Sequence, residues 1–261
     1  MAHDDSIWCM MGLINRYQQH ALPFKEFIAL MALMMSIVAL SIDAVLPALE
    51  SIGDSLGVTN GNDNQLLIGS LFIGMAFGQL LFGPLSDSVG RRRSMVMGYL
   101  VFFAGSLISL VANDYDTMLF SRFLQGFGIA APKVLSTAIV RDLYEGRAMA
   151  RVMSFVMMIF ILVPMLAPIF GQFILTMANW QSIFVAIAVI GLISLIWYLL
   201  RQGETLAAED QADFTVTRTM DALKFIVSNR PAFGYTIAAG NYFWTVYFLS
   251  QLLTTTIPKN L

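Results

Sequence analysis

The sequence predicts an all-α fold, a polytopic membrane helix bundle with six spans, a polar linker and a seventh span. Composition is the first reason, because 57% of the 261 residues are hydrophobic and only 12% are charged, against about 25% charged in soluble domains. Length is the second reason, because seven apolar runs each reach the roughly 20 residues that a spanning helix needs. The runs lack the alternation of β-barrel strands, so helices are the expected way to satisfy the backbone in lipid.

The first six predicted spans follow one another through short connections, and the seventh follows a longer polar segment. The first run lacks a small-residue cleavage site after a short apolar core, so it is interpreted as a retained helix and not a signal peptide. The spans lie near residues 26–49, 65–86, 94–113, 117–140, 151–177, 179–200 and 231–253. The predicted parts are an N-terminal segment at 1–25, a six-helix unit at 26–200, a linker at 201–230 and a C-terminal part at 231–261.

Charged residues in the connections predict the orientation. Acids without Lys or Arg occupy two alternate connections, at Glu50, Asp54, Asp63, Asp114 and Asp116. The bases occupy the other connections and the segment before the first span, at Arg16, Lys25, Arg91, Arg92, Arg93, Arg141, Arg147, Arg151, Arg201, Arg218, Lys224 and Arg230. The positive-inside rule therefore places the N-terminus, the residue 1–25 segment and the 201–230 linker in the cytoplasm.

Several classes of function have no candidate residues. A net charge of −2 gives no case for nucleic-acid binding, and the single cysteine, Cys9, excludes an internal disulfide framework. Both histidines, His3 and His20, precede the first apolar run. An intramembrane protease or lipid transferase would need a nucleophile–base pair or a metal cluster. We therefore expect no enzyme, no metal and no cofactor.

The segment Gly83–Arg93, with the sequence G-P-L-S-D-S-V-G-R-R-R, joins the second and third runs. Its Asp and three Arg cannot lie in hydrocarbon, so it must lie at a membrane surface. A glycine near each end, Gly83 and Gly90, predicts a tight turn. The layout resembles the signature loop between the second and third helices of major facilitator superfamily transporters.

Five further segments resemble the Bcr/CflA-type drug:proton antiporters of that superfamily. The resemblance covers about residues 26–240, and Pro164 stands where the family pattern has glycine. The segments are Asp43–Leu49 (D-A-V-L-P-A-L), Arg122–Gly128 (R-F-L-Q-G-F-G), Arg141–Tyr144 (R-D-L-Y), Pro164–Gly171 (P-M-L-A-P-I-F-G) and Trp180–Phe184 (W-Q-S-I-F).

The resemblance implies a major-facilitator-like N-terminal six-helix half with a seventh helix. It also implies proton-coupled efflux of small amphipathic compounds across the bacterial inner membrane by alternating access. The expected partners are a small-molecule substrate, protons and the lipid bilayer, with the proton gradient in place of a cofactor.

In this family the loop cluster acts as a cytoplasmic latch for the outward-facing state. Asp142, at the end of the fourth run, is expected to pair with Arg91 or Arg92, because Arg bonds carboxylates bidentately. The alternative is a topology signal with ordinary surface charge. The resemblance assigns this gate to Gly83, Asp87, Gly90, Arg91, Arg92, Arg141 and Asp142.

Asp43 is the only acid inside the first apolar run, which makes it a candidate for proton or substrate coupling. Arg122 is its expected partner. Asp43 lies seven residues before Glu50, and Arg122 lies six residues after Asp116, so at about 1.5 Å per residue the two sit at similar depth. The alternative is a static pair that only holds the helices together.

Arg122, Gln125, Ile129 and Lys133 fall on one helical face, which we expect to line a cavity. Cations at Arg122 and Lys133 would favour anionic or neutral substrates over cations. Lys133 departs from the small or apolar residue that the resemblance leads us to expect. Its alternative role is to snorkel toward the cytoplasmic interface.

Pro164, Ala167, Pro168 and Gly171 follow i, i+3, i+4, i+7 spacing and form a small-residue stripe for close packing and bending. In the family this stripe packs against a helix of the second half. The sequence ends one predicted helix beyond the linker. We therefore expect an incomplete transporter, inactive alone or active only with a missing C-terminal half or a second copy. The alternative is a truncated or non-transporting membrane subunit with a structural role.

Overall fold

The computed structural model describes residues 22–58 and 63–206, together with seven single positions between 209 and 238. The described chain is helical and contains no strand. Apart from single positions, the predicted seventh span lies outside the described residues, as does most of the predicted linker.

Six long helices form the described bundle, and each is long and apolar enough to cross a membrane. The all-α membrane bundle predicted from the sequence is confirmed. The helices are α1 (Phe24–Asp43), α2 (Leu66–Val89), α3 (Arg91–Val111), α4 (Tyr115–Leu143), α5 (Gly146–Met177) and α6 (Gln181–Arg201). We call the end of the bundle where α1 begins, and where the α2–α3 and α4–α5 connections lie, the basic end.

The first span is interrupted. Helix α1 ends at Asp43, a turn follows, and the chain continues through a 3₁₀ turn at Leu46–Ala48 and a short helix at Leu49–Ser55. Pro47 lies in the 3₁₀ turn, and a proline disrupts a continuing α-helix because it has no N–H to donate. The prediction of one continuous helix over 26–49 is therefore wrong in this detail.

The α2–α3 connection is shorter than predicted. Helix α2 runs to Val89 and α3 begins at Arg91, so Gly90 alone connects them, with φ at 98°. Gly83 lies inside α2, and nothing stands within 4 Å of a Cβ placed on it. The predicted turn-forming role holds for Gly90, where φ lies in the left-handed region that favours glycine, and is wrong for Gly83.

Helix α4 lies at the centre of the unit and packs mainly against α2 and α3, while α1 packs mainly against α5 and α6. Glycines allow these approaches: a Cβ on Gly126 would lie 2.8 Å from the carbonyl carbon of Leu71 on α2. At the basic end, Arg201 of α6 forms a bidentate ion pair with Glu26 of α1, at 2.7 and 2.8 Å.

Gly171 gives the predicted small-residue stripe a partner within this unit. A Cβ on Gly171 would lie 2.8 Å from the carbonyl carbon of Ala44, at the interruption after α1. Ala167 is buried, whereas Pro164 and Pro168 are only partly buried. For Gly171 the structure therefore gives a different partner from the second-half helix that the resemblance implies.

Candidate functional site

Arg91 is the centre of the charged cluster at the basic end. Its guanidinium donates to both carboxylate oxygens of Asp142, from Nε at 2.9 Å and from Nη2 at 3.3 Å. Its Nη1 donates to Asp87 at 2.5 Å and to the Ser86 hydroxyl at 2.6 Å. One side chain, itself 8% exposed, therefore joins the ends of α2, α3 and α4 through charge-assisted hydrogen bonds.

Glu204, three residues beyond α6, binds the same connection from another direction. Its carboxylate accepts the backbone N–H groups of Arg91 at 2.8 Å and of Arg92 at 3.0 Å. These are the first N–H groups of α3, which have no partner inside their helix and carry the positive end of its dipole. The Glu204 carboxylate therefore caps α3 from outside the helix.

Two further contacts fix the segment after α6 to this cluster. The Thr205 hydroxyl donates to Asp142 at 3.1 Å, and Arg92 donates to the backbone carbonyl of Leu199 at 2.9 Å. The Arg92 side chain therefore contacts α6, and of the two predicted partners it is Arg91 that binds Asp142. Arg141 is exposed, and no hydrogen bond or ion pair to it is present in the described chain.

The structure therefore brings together Asp87, Arg91 and Asp142 of the predicted gate, with Gly90 beside them. Sequence reasoning missed Ser86, Glu204 and Thr205. Glu204 was visible only as one of several linker acids, and its contact with Arg91 spans 113 residues. No local pattern marks a cap supplied from so far along the chain.

Arg122 is fully buried, and no salt bridge joins it to Asp43. It donates from Nη2 to the backbone carbonyl of Ser41 at 3.0 Å and from Nη1 to Gln125 at 2.8 Å. Its guanidinium also lies 5.5 Å from the centroid of the Phe184 ring. The predicted ion pair with Asp43 is therefore absent.

The interruption after α1 explains this difference. Because α1 ends at Asp43, the Ser41 carbonyl has no partner inside the helix and accepts a hydrogen bond from Arg122. A cation at the C-terminal end of a helix is also favoured by the helix dipole. Arg122 and Asp43 do lie at similar positions along the bundle, since Ser41, which Arg122 contacts, lies two residues before Asp43. Asp43 itself is half-buried and has no hydrogen-bond or ion-pair partner in the described residues.

Gln125 extends the Arg122 contact into a buried polar network between α3 and α4. Its amide donates to Ser106 at 3.1 Å and to Ser109 at 3.4 Å, and Ser109 shares a hydrogen bond with Ser121 at 2.8 Å. Ile129 is also fully buried. The predicted cavity-lining role is therefore wrong for Arg122, Gln125 and Ile129, which face the interior of the helix packing.

Lys133 is the member of the predicted stripe that does line a cavity. The cavity has a volume of about 450 Å³, opens at the basic end and is bounded by α1, α2, α4 and α5. It extends from Lys133 to the charged cluster, because Asp87, Arg91 and Asp142 also line it.

Comparison with known proteins agrees with this architecture. Residues 31–259 match the profile of the Major Facilitator Superfamily. The chain is 34% identical over 221 residues to the uncharacterized MFS-type transporter YdgK of Bacillus subtilis, covering 83% of this chain and 55% of that protein. It is 31% identical over 215 residues to the bicyclomycin resistance protein homolog of Haemophilus influenzae, covering 82% and 53% respectively. The chain thus spans about half the length of the curated relatives it matches.

Solved structures show the same fold at low identity. The human organic anion transporter MFSD10 (TETRAN) aligns with a TM-score of 0.58 and 21% identity, covering 77% of this chain and 53% of that one. A double tryptophan mutant of XylE aligns with a TM-score of 0.62 and 18% identity, covering 70% and 45%. The profile match and the relatives confirm the resemblance found in the motifs: this multi-pass membrane protein belongs to the Major Facilitator Superfamily, with similarity to its Bcr/CflA-type members.

Proposed function

We propose that this chain takes part in proton-coupled efflux of small amphipathic compounds across the bacterial inner membrane. The observation that carries the proposal is the carboxylate of Asp43, which has no partner among the described residues and lies at the interruption of α1, two residues from the carbonyl that Arg122 caps. The names of two relatives add support, since one is a bicyclomycin resistance protein homolog and another, from Salmonella, is the multidrug resistance protein MdtL.

Asp43 would couple a proton to a change in helix packing. It has no described salt bridge to break, so a proton can bind it without displacing a cation. The charge that the proton neutralises lies at the end of α1, where the dipole disfavours an anion. The next residue, Ala44, packs against Gly171 of α5. Protonation of Asp43 would therefore change the electrostatics at the contact between α1 and α5.

The charged cluster at the basic end would serve as the gate. We place this end in the cytoplasm from the distribution of Lys and Arg among the connections. Asp87, Arg91 and Asp142 would hold the cytoplasmic ends of α2, α3 and α4 together in one state. Alternating access requires two helix bundles that move about a central site, so the six-helix unit would work against a second bundle, supplied by a C-terminal half or a second copy.

A transport assay with a matched acid variant tests the role of Asp43. Everted membrane vesicles containing the chain are energised with a proton gradient, and the movement of pyrenebutyrate and of its neutral amide is followed by fluorescence. We expect Asp43→Asn to abolish proton-driven transport of these compounds. Asp116→Asn, at an exposed acid in the first turn of α4, should leave transport unchanged.

Full proton-driven transport by Asp43→Asn would overturn the coupling role. Absence of proton-driven transport by the wild-type chain, both alone and with a co-expressed second bundle, would favour the alternative of a non-transporting membrane subunit.

A further inference from the structure

We propose that the cavity between α1, α2, α4 and α5 binds the anionic group of an amphipathic substrate, with Lys133 and Arg141 as the binding cations. This inference rests on the proposed transport function and names a substrate class for it. The same chemistry is presented by a free carboxylate or sulfonate and by the headgroup of an anionic lipid.

Among the described residues, Lys133 lacks the carboxylate partner that a half-buried ammonium normally has. Its hydrogen-bond contact there is with the thioether sulfur of Met75 at 4.0 Å, and thioether sulfur is a weak acceptor. No carboxylate in the described chain lies within ion-pair distance of it. Because an unpaired charge away from water is costly, an anion entering the cavity would be stabilised there.

The acids that line the cavity neutralise its positive charge only in part. Asp87 and Asp142 are both bonded to Arg91, and Asp142 also accepts the Thr205 hydroxyl. The lining therefore carries three cations against two carboxylates, and both carboxylates are engaged by the same arginine. The net surplus is one positive charge, and Lys133 and Arg141 are the lining cations without a salt bridge in the described chain.

The cations of the cavity follow one face of α4 from the mouth inward. Lys133, Thr137 and Arg141 follow one another at four-residue intervals and all line the cavity, so they lie on one helix face about 6 Å apart along the axis. Arg141 stands at the mouth of the cavity and Lys133 two turns deeper. An anion attracted at Arg141 can pass the Thr137 hydroxyl and reach the lysine.

Apolar side chains complete an amphipathic site. Met35 and Met157, with Val134 and Ala138, line the same cavity, and methionine adapts to ligands of varied shape. A volume of about 450 Å³ falls within the roughly 300–1,000 Å³ of small-molecule sites. The site therefore fits a compact apolar body that carries one carboxylate, sulfonate or phosphate.

A matched pair of probes tests the inference directly by binding. Pyrenebutyrate and its neutral amide share one apolar body and differ in charge, and both report binding by fluorescence. The full chain is placed in phosphatidylcholine nanodiscs, and the Lys133→Met, Lys133→Arg and Lys25→Met variants are compared with wild type. Lys25 is exposed at the start of α1 and supplies the matched control.

We expect Lys133→Met to weaken pyrenebutyrate binding about tenfold or more, as loss of a charge-assisted hydrogen bond predicts, with amide binding unchanged. Lys133→Arg and Lys25→Met should keep the affinity for the anion. Equal binding of pyrenebutyrate by wild type and Lys133→Met would overturn the inference, as would an equal loss for the amide.

Two further measurements are needed. One distinguishes a lipid headgroup from a free anion as the ligand, and the other distinguishes the binding inference from the proposed coupling role of Asp43. If phosphatidylglycerol in the nanodiscs displaces pyrenebutyrate from wild type, the cavity takes a lipid headgroup; if it does not, the cavity takes the free amphipathic anion. Asp43→Asn should bind pyrenebutyrate normally even though it abolishes transport. If Lys133→Met binds pyrenebutyrate as wild type does, while transport still depends on Asp43, the binding inference is overturned and the coupling proposal stands.

Discussion

Gly74 offers the most direct test of how closely α2 approaches α4. A Cβ placed on Gly74 would lie 2.9 Å from the carbonyl carbon of Phe123 and 3.0 Å from the backbone nitrogen of Phe127, and closer still to the Phe123 oxygen. Ordinary van der Waals contact begins at 3.4 Å. Because both obstacles are backbone atoms, no side-chain rotation relieves the clash, and alanine would push the helices apart by at least ~0.5 Å.

The expected cost is about 1–3 kcal/mol, the usual range for forcing a methyl group into a filled interface. Alanine's better helix propensity offsets about 0.5–1 kcal/mol of this. Gly69 on the same helix supplies the control, because nothing stands within 4 Å of a Cβ placed there. Gly74→Ala should therefore be destabilised by about 1–2 kcal/mol, whereas Gly69→Ala should be neutral or slightly stabilised.

Unfolding of the purified chain in mixed dodecylmaltoside and sodium dodecyl sulfate micelles, followed by far-ultraviolet circular dichroism, measures this difference. The midpoint for Gly74→Ala should fall to a lower fraction of sodium dodecyl sulfate. Equal midpoints for Gly74→Ala and wild type would refute the inferred backbone contact between α2 and α4. An equal loss of stability in Gly69→Ala would also refute it, because any alanine substitution on α2 would then have the same effect.

Two further predictions concern the helix ends. Glu204→Gln should lower the stability of the bundle by about 0.3–1 kcal/mol in the same assay, because it removes the negative charge from the start of α3. Asp54→Asn should not, since Asp54 is exposed in the last turn of the helix Leu49–Ser55, where the helix dipole disfavours an anion, and equal losses in the two variants would contradict the cap. Hydrogen bonds from the Thr117 hydroxyl and backbone hold the pKa of Asp114, before α4, below its usual range. Its stabilising contribution is therefore present at neutral pH and lost as pH falls below about 4 through the folded value. Thermal unfolding against pH should show Asp114→Ala less stable than wild type at pH 7 and the gap closing in acid; a constant gap would exclude the pH-linked part.

Much of the fold was predictable because lipid imposes strict requirements on the chain. Hydropathy and length alone placed six described spans to within a few residues at most ends. The interruption after Asp43 was missed because the residues around Pro47 are as apolar as those before them. The length of the α2–α3 connection was overestimated because charge was taken as the limit of the helices, although their last turns can extend beyond the hydrocarbon.

The site was predictable where opposite charges stood at neighbouring helix ends. Asp87, Arg91 and Asp142 meet because two short connections, α2–α3 and α3–α4, bring those helix ends to one end of the bundle. The predicted Asp43–Arg122 ion pair is absent because a similar position along the helix axes does not determine which group accepts a hydrogen bond from Arg122. A backbone carbonyl freed by the end of α1 lies within reach of Arg122 and accepts a hydrogen bond from its Nη2.

Two separate physical constraints explain why glycine stands at position 90 of the loop motif. Its φ of 98° is a conformation that side chains disfavour, and a Cβ on Gly90 would also lie 2.7 Å from a carboxylate oxygen of Glu204. The second reason does not follow from the turn, because it depends on a residue beyond α6. Since Glu204 caps α3 and Thr205 bonds Asp142, any movement of the segment after α6 must break bonds within the same cluster that Arg91 organises. The loop motif is therefore built to hold the end of α6 as well as the ends of α2, α3 and α4.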